Sequence, residues 1–238
     1  MRVEIWSDVV CPWCFIGKRR FDNAIEVLRQ KGITEPIEVV FKAYQLDPSA
    51  PVGQPTPVVE GYAKKFGGRE RAEQILNHVT NVAAADNIEF NMDIALRANT
   101  ILAHRALHWA LENHGAITQA VFKERLMKAY FTDGFNVGDA DVVAQCATEV
   151  DLDGEALRTW LDTEEGFDDW QTASSLVASE HIKKMQANSG HAGVAMVKYI
   201  LANHDEVSKM MAEMLAKFTH LLPSPKYRFY RAHSACTI

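Results

Sequence analysis

Residues 2–44, RVEIWSDVVCPWCFIGKRRFDNAIEVLRQKGITEPIEVVFKAY, decide the fold. RVEIWS (2–7) and IEVVFKAY (37–44) are short runs rich in β-branched and aromatic side chains, the composition of strands. Between them Phe21, Ala24, Ile25 and Leu28 recur at i, i+3, i+4 and i+7, one apolar helical face, and Gly32 follows as a stop. Strand, helix, strand is a βαβ unit, with parallel strands and a right-handed crossover.

Cys11-Pro12-Trp13-Cys14 stands where the first strand hands over to that helix. Pro12 suits the first helical position, because the N–H there has no intrahelical partner. Cys11 is then the N-cap and Cys14 the third helical residue. An N-cap side chain faces the unbonded N–H groups and the positive end of the helix dipole. The Cys11 thiolate is therefore expected to be stabilised, with a pKa below the ordinary value of about 8.5. Lys18, Arg19 and Arg20 are expected to add positive charge one to two turns on. The i, i+3 spacing sets both sulfurs on one side of the helix start, so Cys11 can attack a disulfide and Cys14 can resolve the mixed disulfide. Pro12 and Trp13 are apolar and bulky, shape the site, and bring no cation. The predicted potential lies between about −270 mV and about −120 mV. A zinc site needs two more ligands at short spacing. Cys146 and Cys236 are remote and the nearest histidine is His78, so no metal is expected and the reading is a dithiol active site.

The chain of 238 residues is long for one domain and short for two. With 47% hydrophobic and 24% charged residues it is globular in composition. No 18-residue apolar run exists, which excludes a transmembrane helix candidate. The net charge of −6 disfavours a nucleic-acid binder. The N-terminus has no signal-peptide pattern, so a cytoplasmic location is expected. There, four cysteines read as redox or metal chemistry rather than a disulfide scaffold.

From Pro51 the texture changes. PVGQPTP reads as a loop, and about 110 residues follow without a convincing strand. Helical segments fall near 57–82, 97–113, 117–130, 139–149 and 154–162. In the third of these, Val121, Phe122, Arg125, Leu126 and Ala129 form a mostly apolar stripe. Residues 172–187 again read as helix and VAMVKYIL (194–201) as a strand. A last amphipathic helix carries Val207, Met210, Met211, Met214, Leu215 and Phe218, and the tail 219–238 is expected to be poorly ordered.

The opening strand, SDVVCPWCFIGKRRF and FKAYQLDPSAP resemble the DsbA-like oxidoreductases of the FrnE group. Asn99-Thr100, Ala103-His104-Arg105 and AYFTDGFNVGD (129–139) resemble that group's helical region, and the likeness runs to about residue 190. The resemblance implies an α/β thioredoxin-like fold with an inserted α-helical domain. The thioredoxin-like part would be residues 1–50 and 168–218, and the helical domain 51–167. It also implies cytosolic thiol–disulfide oxidoreductase or isomerase activity, with Cys11 attacking and Cys14 resolving. The superfamily includes glutathione-dependent 2-hydroxychromene-2-carboxylate isomerases and kappa-class glutathione transferases, in which a serine usually replaces the first cysteine. One departure stands at Gly193-Val194-Ala195, where thioredoxin folds usually carry a cis-proline beside the dithiol. A non-proline cis bond costs about 3 kcal/mol, so Ala195 is expected to be trans, and Val194 and Ala195 to shape the site differently. The lost proline is expected to expose the dithiol and raise its affinity for metal. No clear fourth strand follows.

Among other residues, Cys146 in VVAQCATEV reads as a buried, inert thiol, and Cys236 as exposed. His104 and His108 have chelating i, i+4 spacing, but no third ligand is evident, so core hydrogen bonding is expected instead. Trp6 and Trp13 flank the dithiol. Trp13 serves either an apolar thiol- or peptide-binding surface or packing against the helical region. The expected substrates are protein disulfides or small thiols, with no bound organic cofactor and glutathione as a possible co-substrate. Neither nucleic acid nor membrane is an expected partner. Two alternatives are a glutathione-dependent isomerase or transferase and a holdase-like binding protein.

Overall fold

The computed structural model describes residues 2–33 and 35–167, together with the backbone of 196–200. Strands β1 (Arg2–Ser7), β2 (Glu38–Ala43) and β5 (Met196–Ile200) form a sheet in the order β2-β1-β5. β1 and β2 run parallel, in register from Arg2 opposite Glu38 to Ser7 opposite Ala43. β5 pairs antiparallel with β1. The crossover is α1 (Pro12–Gln30), so the βαβ unit read from residues 2–44 is present. Val3, Ile5, Phe21 and Phe41 close a core beneath it, with Ile25 and Ala120 packed against them.

The ends of α1 follow local chemistry. Cys11 is the N-cap, with extended backbone (φ −92°, ψ 113°), and Pro12 opens the helix. At the other end Gly32 takes φ +83°. Its N–H donates to the Arg29 carbonyl and that of Ile33 to the Leu28 carbonyl. These paired bonds close the helix on a left-handed residue, a conformation that favours glycine.

The described helices other than α1 lie between β2 and β5: α2 (Val58–Phe66), α3 (Arg69–Ala85), α4 (Ile101–Phe131), α5 (Ala140–Thr148) and α6 (Gly154–Leu161). The helix expected over 57–82 is cut in two because Gly67 and Gly68 take φ +89° and +120°, beyond the ordinary reach of L side chains. The two helices expected over 97–113 and 117–130 meet at Gly115 (φ +83°) and run almost continuously as α4. The segment expected to lack strands holds one short ladder, β3 (Thr56–Pro57) with β4 (Leu96–Arg97). It delays the start of α4 to Ile101, whose N–H donates to Asn99 Oδ1 at 3.0 Å. α5 and α6 are capped by Asp139 and Asp153, which accept from Asp141 N and Ala156 N. Arg105 closes the far end of α6 by donating to the carbonyls of Leu161, Thr163 and Glu165.

The strand expected over 194–201 is present as β5. The helices expected over 172–187 and 207–218, the fourth-strand question, Val194, Ala195, Cys236 and the tail lie outside the described residues.

The second half of α4 is tied to the sheet by one side chain. Gln119 is 1% exposed. Its Oε1 accepts from Phe41 N at 2.8 Å, and its Nε2 donates to the Phe41 carbonyl at 2.8 Å and the Leu107 carbonyl at 3.1 Å. The amide thus acts as a one-residue neighbour for β2 on the side away from β1. The same face buries Phe122, Lys123 and Leu126, while Val121 is 51% exposed. The apolar stripe read for this helix is therefore rotated, with a lysine turned inward and a valine outward. Gln119→Leu strands three buried backbone groups, so it is expected to lower stability by about 2–4 kcal/mol, seen as a lower urea midpoint at unchanged slope.

Candidate active site at the CPWC dithiol

β1 ends at Ser7, and the turn Asp8–Val10 delivers the chain to α1. Asp8 is fully buried. Its Oδ1 accepts from Val9 N at 2.8 Å and lies 3.1 Å from His104 Nε2, and its Oδ2 accepts from Leu46 N at 2.6 Å. A carboxylate only accepts, so His104 Nε2 carries the proton of that contact. The Asp8 carbonyl accepts from Cys11 N at 3.4 Å, and the Cys11 carbonyl accepts from Cys14 N and Phe15 N at 3.0 and 3.2 Å. One turn of helix thus brings together both predicted cysteines, in the dithiol form, behind a pinned carboxylate.

Both thiols are buried, with Cys11 at 2% and Cys14 at 5% exposure. They belong to one apolar core with Phe15, Leu76, Val79 and Tyr130, which joins the start of α1 to the helices. Pro12 is buried at the first helical position. Trp13 is half-buried and packs its indole against His78 of α3, with ring centroids 6.3 Å apart. Trp6 is buried in β1.

The expected acidity of Cys11 is corrected. Its side chain makes no cap hydrogen bond to the helix start. The thiol instead shares a hydrogen bond with Cys14, and this contact, burial and the nearby Asp8 charge push Cys11 well above the ordinary thiol range. The local helix-start argument fails because burial penalises the thiolate and Cys14 holds the proton in place.

The expected role of the α1 cations is corrected as well. Lys18 Nζ pairs with Asp22 Oδ2 at 2.8 Å and Glu124 Oε2 at 2.7 Å. Arg19 reaches Glu124 and the carbonyls of Asp86 and Asn87, and Arg20 pairs with Asp86 at 2.6 Å. The three side chains clamp α1 to the end of α3 and to α4 rather than serving the thiols. Burial alone would raise the Glu124 carboxyl, yet Lys18 and Arg19 hold it below its usual value.

Several groups beside the dithiol escape a reading by periodicity. Lys123 is fully buried, with Nζ 3.4 Å from the Ser7 carbonyl and 5.1 Å from the centre of the Phe41 ring. Burial pushes its amine down to about 8, against the upward pull of Cys14 and Asp8. Tyr62 and Tyr130 are raised chiefly by burial. Asp8 carried one signal, its place three residues before the motif. Lys123, within VFKERLMK, carried none.

His104 is spent on Asp8, the core hydrogen bond expected of it. Among the described residues, no three His, Cys, Asp or Glu side chains cluster to hold a metal ion. Cys146 is fully buried on α5, as read. Burial pushes its thiol up to about 11.

Comparisons with known proteins agree with this geometry. The profile of the DSBA-like thioredoxin domain matches residues 2–183. An uncharacterized protein, YwbO, of Bacillus subtilis (strain 168) is 30% identical over 165 residues, which span 68% of this chain and 72% of that one. Among solved structures, a probable DsbA oxidoreductase from Streptomyces coelicolor superposes with a TM-score of 0.69 at 24% identity, over 98% of this chain and 94% of that one. The cytosolic disulfide reductase DsbM from Pseudomonas aeruginosa gives a TM-score of 0.58 at 14% identity, over 92% of this chain and all of the other. A 2-hydroxychromene-2-carboxylate isomerase gives 0.57 at 11% identity, over 93% of this chain and 100% of that one. These structural likenesses establish a thioredoxin-like DsbA fold.

Two outcomes test the site. Asp8→Ala leaves the Leu46 and Val9 N–H groups and His104 without their acceptor, and is expected to cost about 3–5 kcal/mol in urea denaturation. Cys146, whose thiol sits at about 11, contributes stability that is fully present below its ordinary value. That contribution is lost as pH rises through about 11, so Cys146→Ala should flatten the alkaline fall in urea midpoint.

Proposed function

This chain belongs to the DSBA-like thioredoxin domain family, and on that premise we propose that it exchanges disulfides through Cys11 and Cys14, working chiefly as a reductase. The observation that carries the reading is the pair of buried thiols sharing a hydrogen bond at the start of α1. Cys11, as thiolate, attacks one sulfur of a substrate disulfide, forming a mixed disulfide and releasing the other sulfur as a thiolate that takes up a proton. Cys14 loses its proton and attacks the Cys11 sulfur, which expels the substrate's second thiolate. Two electrons pass from the dithiol to the substrate, and the Cys11–Cys14 disulfide remains. The reverse sequence oxidises a substrate dithiol. The one-turn spacing of Cys11 and Cys14 supports the resolving step, since both are anchored to the same Cys11 carbonyl turn.

The direction rests on electrostatics. A strongly oxidising dithiol is one whose reduced form is stabilised. That stabilisation comes from a favoured thiolate, which is missing here because burial penalises the charged form of Cys11 and the α1 cations are engaged elsewhere. The potential therefore belongs nearer about −270 mV than about −120 mV. Electrons pass through the dithiol itself, so no organic cofactor is required. Protein disulfides or small disulfides such as oxidised glutathione are the substrates, and the cytoplasm is the compartment whose poise keeps such a dithiol reduced. No helix among the described residues is long and apolar enough to cross a membrane.

The test is equilibration in glutathione redox buffers, followed by alkylation and mass measurement. A single reversible two-electron transition is expected near the thioredoxin end of the scale, absent in Cys11→Ser and Cys14→Ser. A glutathione adduct that accumulates on Cys11 without a Cys11–Cys14 disulfide overturns this reading in favour of glutathione-dependent isomerase or transferase chemistry.

A further inference from the structure

Disulfide exchange needs a third sulfur to reach Cys11, and its rate depends on that access. Here Cys11 is 2% exposed and Cys14 5%. Val10, Trp13, Val59 and Tyr62 are half-buried and pack against the core that holds both thiols. No large apolar side chain of the motif, α2 or α3 is exposed, and Trp13 lies against His78 of α3. Among the described residues the most exposed one is Ile117 of α4, at 85%. A docked protein is held over about 800 Å² on each side, around a desolvated apolar centre. The surface of the motif, α2 and α3 supplies no such centre. A protein disulfide also sits one methylene from two main chains, whose Cα atoms are about 5.5 Å apart. The helices at the dithiol are tied together. Lys18 pairs with Glu124 of α4 at 2.7 Å, and Arg20 with Asp86 at the end of α3 at 2.6 Å. The side chains next to the sulfurs in sequence, Val10 and Trp13, can rotate without breaking those ties. Admitting a partner's main chain requires the helices to part.

We propose that the substrates of this dithiol are low-molecular-weight disulfides, and that a second low-molecular-weight thiol recharges it. The inference rests on the dithiol reading above and narrows the substrates named there to one class. The Cys11 thiolate bonds to one sulfur of R′SSR′, the bond between the two substrate sulfurs breaks, and the leaving R′ thiolate takes up a proton. The Cys14 thiolate then bonds to the Cys11 sulfur and expels the second R′ thiolate, which is protonated in turn. Two electrons have left the dithiol, and two R′SH carry the protons that balance those it lost. An R thiolate next attacks the Cys11 sulfur of the Cys11–Cys14 disulfide, and Cys14 leaves as a thiolate and takes up a proton. A second R thiolate attacks the R sulfur of that mixed disulfide, releasing RSSR and the Cys11 thiolate. The sum converts R′SSR′ and two RSH into two R′SH and RSSR. The access that admits R′SSR′ also admits RSH, and both halves of the cycle leave the helices in place.

The experiment reduces the full chain, removes the reductant, and follows oxidation of Cys11 and Cys14 by alkylation and mass measurement. The probes are hydroxyethyl disulfide, insulin, and a short unstructured peptide closed by one disulfide. Each rate is divided by that of dithiothreitol with the same compound, which removes the intrinsic reactivity of the probe. The normalised rate with hydroxyethyl disulfide is expected to exceed those with insulin and with the peptide by at least about fivefold. Any smaller preference overturns the proposal and leaves the dithiol reading standing. With the protein in catalytic amount and glutathione as RSH, many turnovers of hydroxyethyl disulfide are expected, absent in Cys11→Ser. An oxidised dithiol that glutathione recharges more slowly than reduced thioredoxin does, at equal thiol concentration, overturns the proposal too. Failure of every probe to oxidise the pair defeats the dithiol reading itself, and the proposal with it.

Discussion

The carboxylate of Asp8 is the constraint on which the rest of the structure depends. It has no exposure to solvent, so every lone pair it presents must find a donor inside the protein. Those donors come from its own turn (Val9), from the segment after β2 (Leu46) and from α4 (His104). Three stretches of chain are thereby brought to one point, three residues before Cys11. The start of α1 cannot shift without leaving a buried charge unsatisfied, and both thiols ride on that start.

Around this point the positive charges divide into two groups with different work. Lys18, Arg19 and Arg20 are matched by Asp22, Glu124 and Asp86 at the seams of α1 with α3 and α4. They hold helices together and leave the dithiol without their help. Lys123 differs, a lysine with no carboxylate in ion-pair distance among the described residues, held under the sheet on the helix that Gln119 pins to β2. The thiols thus sit in an apolar enclosure that favours the neutral form. That enclosure suits a dithiol that donates electrons and becomes nucleophilic only as it loses its proton.

How legible this was in the sequence depends on the range of the interaction. The βαβ unit and the stop at Gly32 were readable because periodicity and glycine act within one or two turns. The break at Gly67-Gly68 was missed, because the same pair could equally stand inside a helix at modest cost. The ladder of Thr56–Pro57 with Leu96–Arg97 was missed because two residues of strand have no pattern of their own. In α4 the stripe containing Val121 and the face containing Lys123 are both consistent with a helix. Only the position of Phe41 and Ser7 selects the second.

The dithiol itself shows the division most sharply. The sequence by itself determined that two cysteines stand one helical turn apart after a strand, with Pro12 opening the helix. Those facts are local covalent geometry and survive any packing. The acidity of Cys11, the fate of the three α1 cations and the burial of Asp8, His104 and Lys123 were decided by tertiary structure alone. A pKa depends on burial as well as on nearby charge, and here the apolar core that buries Cys11 draws on residues as distant along the chain as Leu76, Val79 and Tyr130.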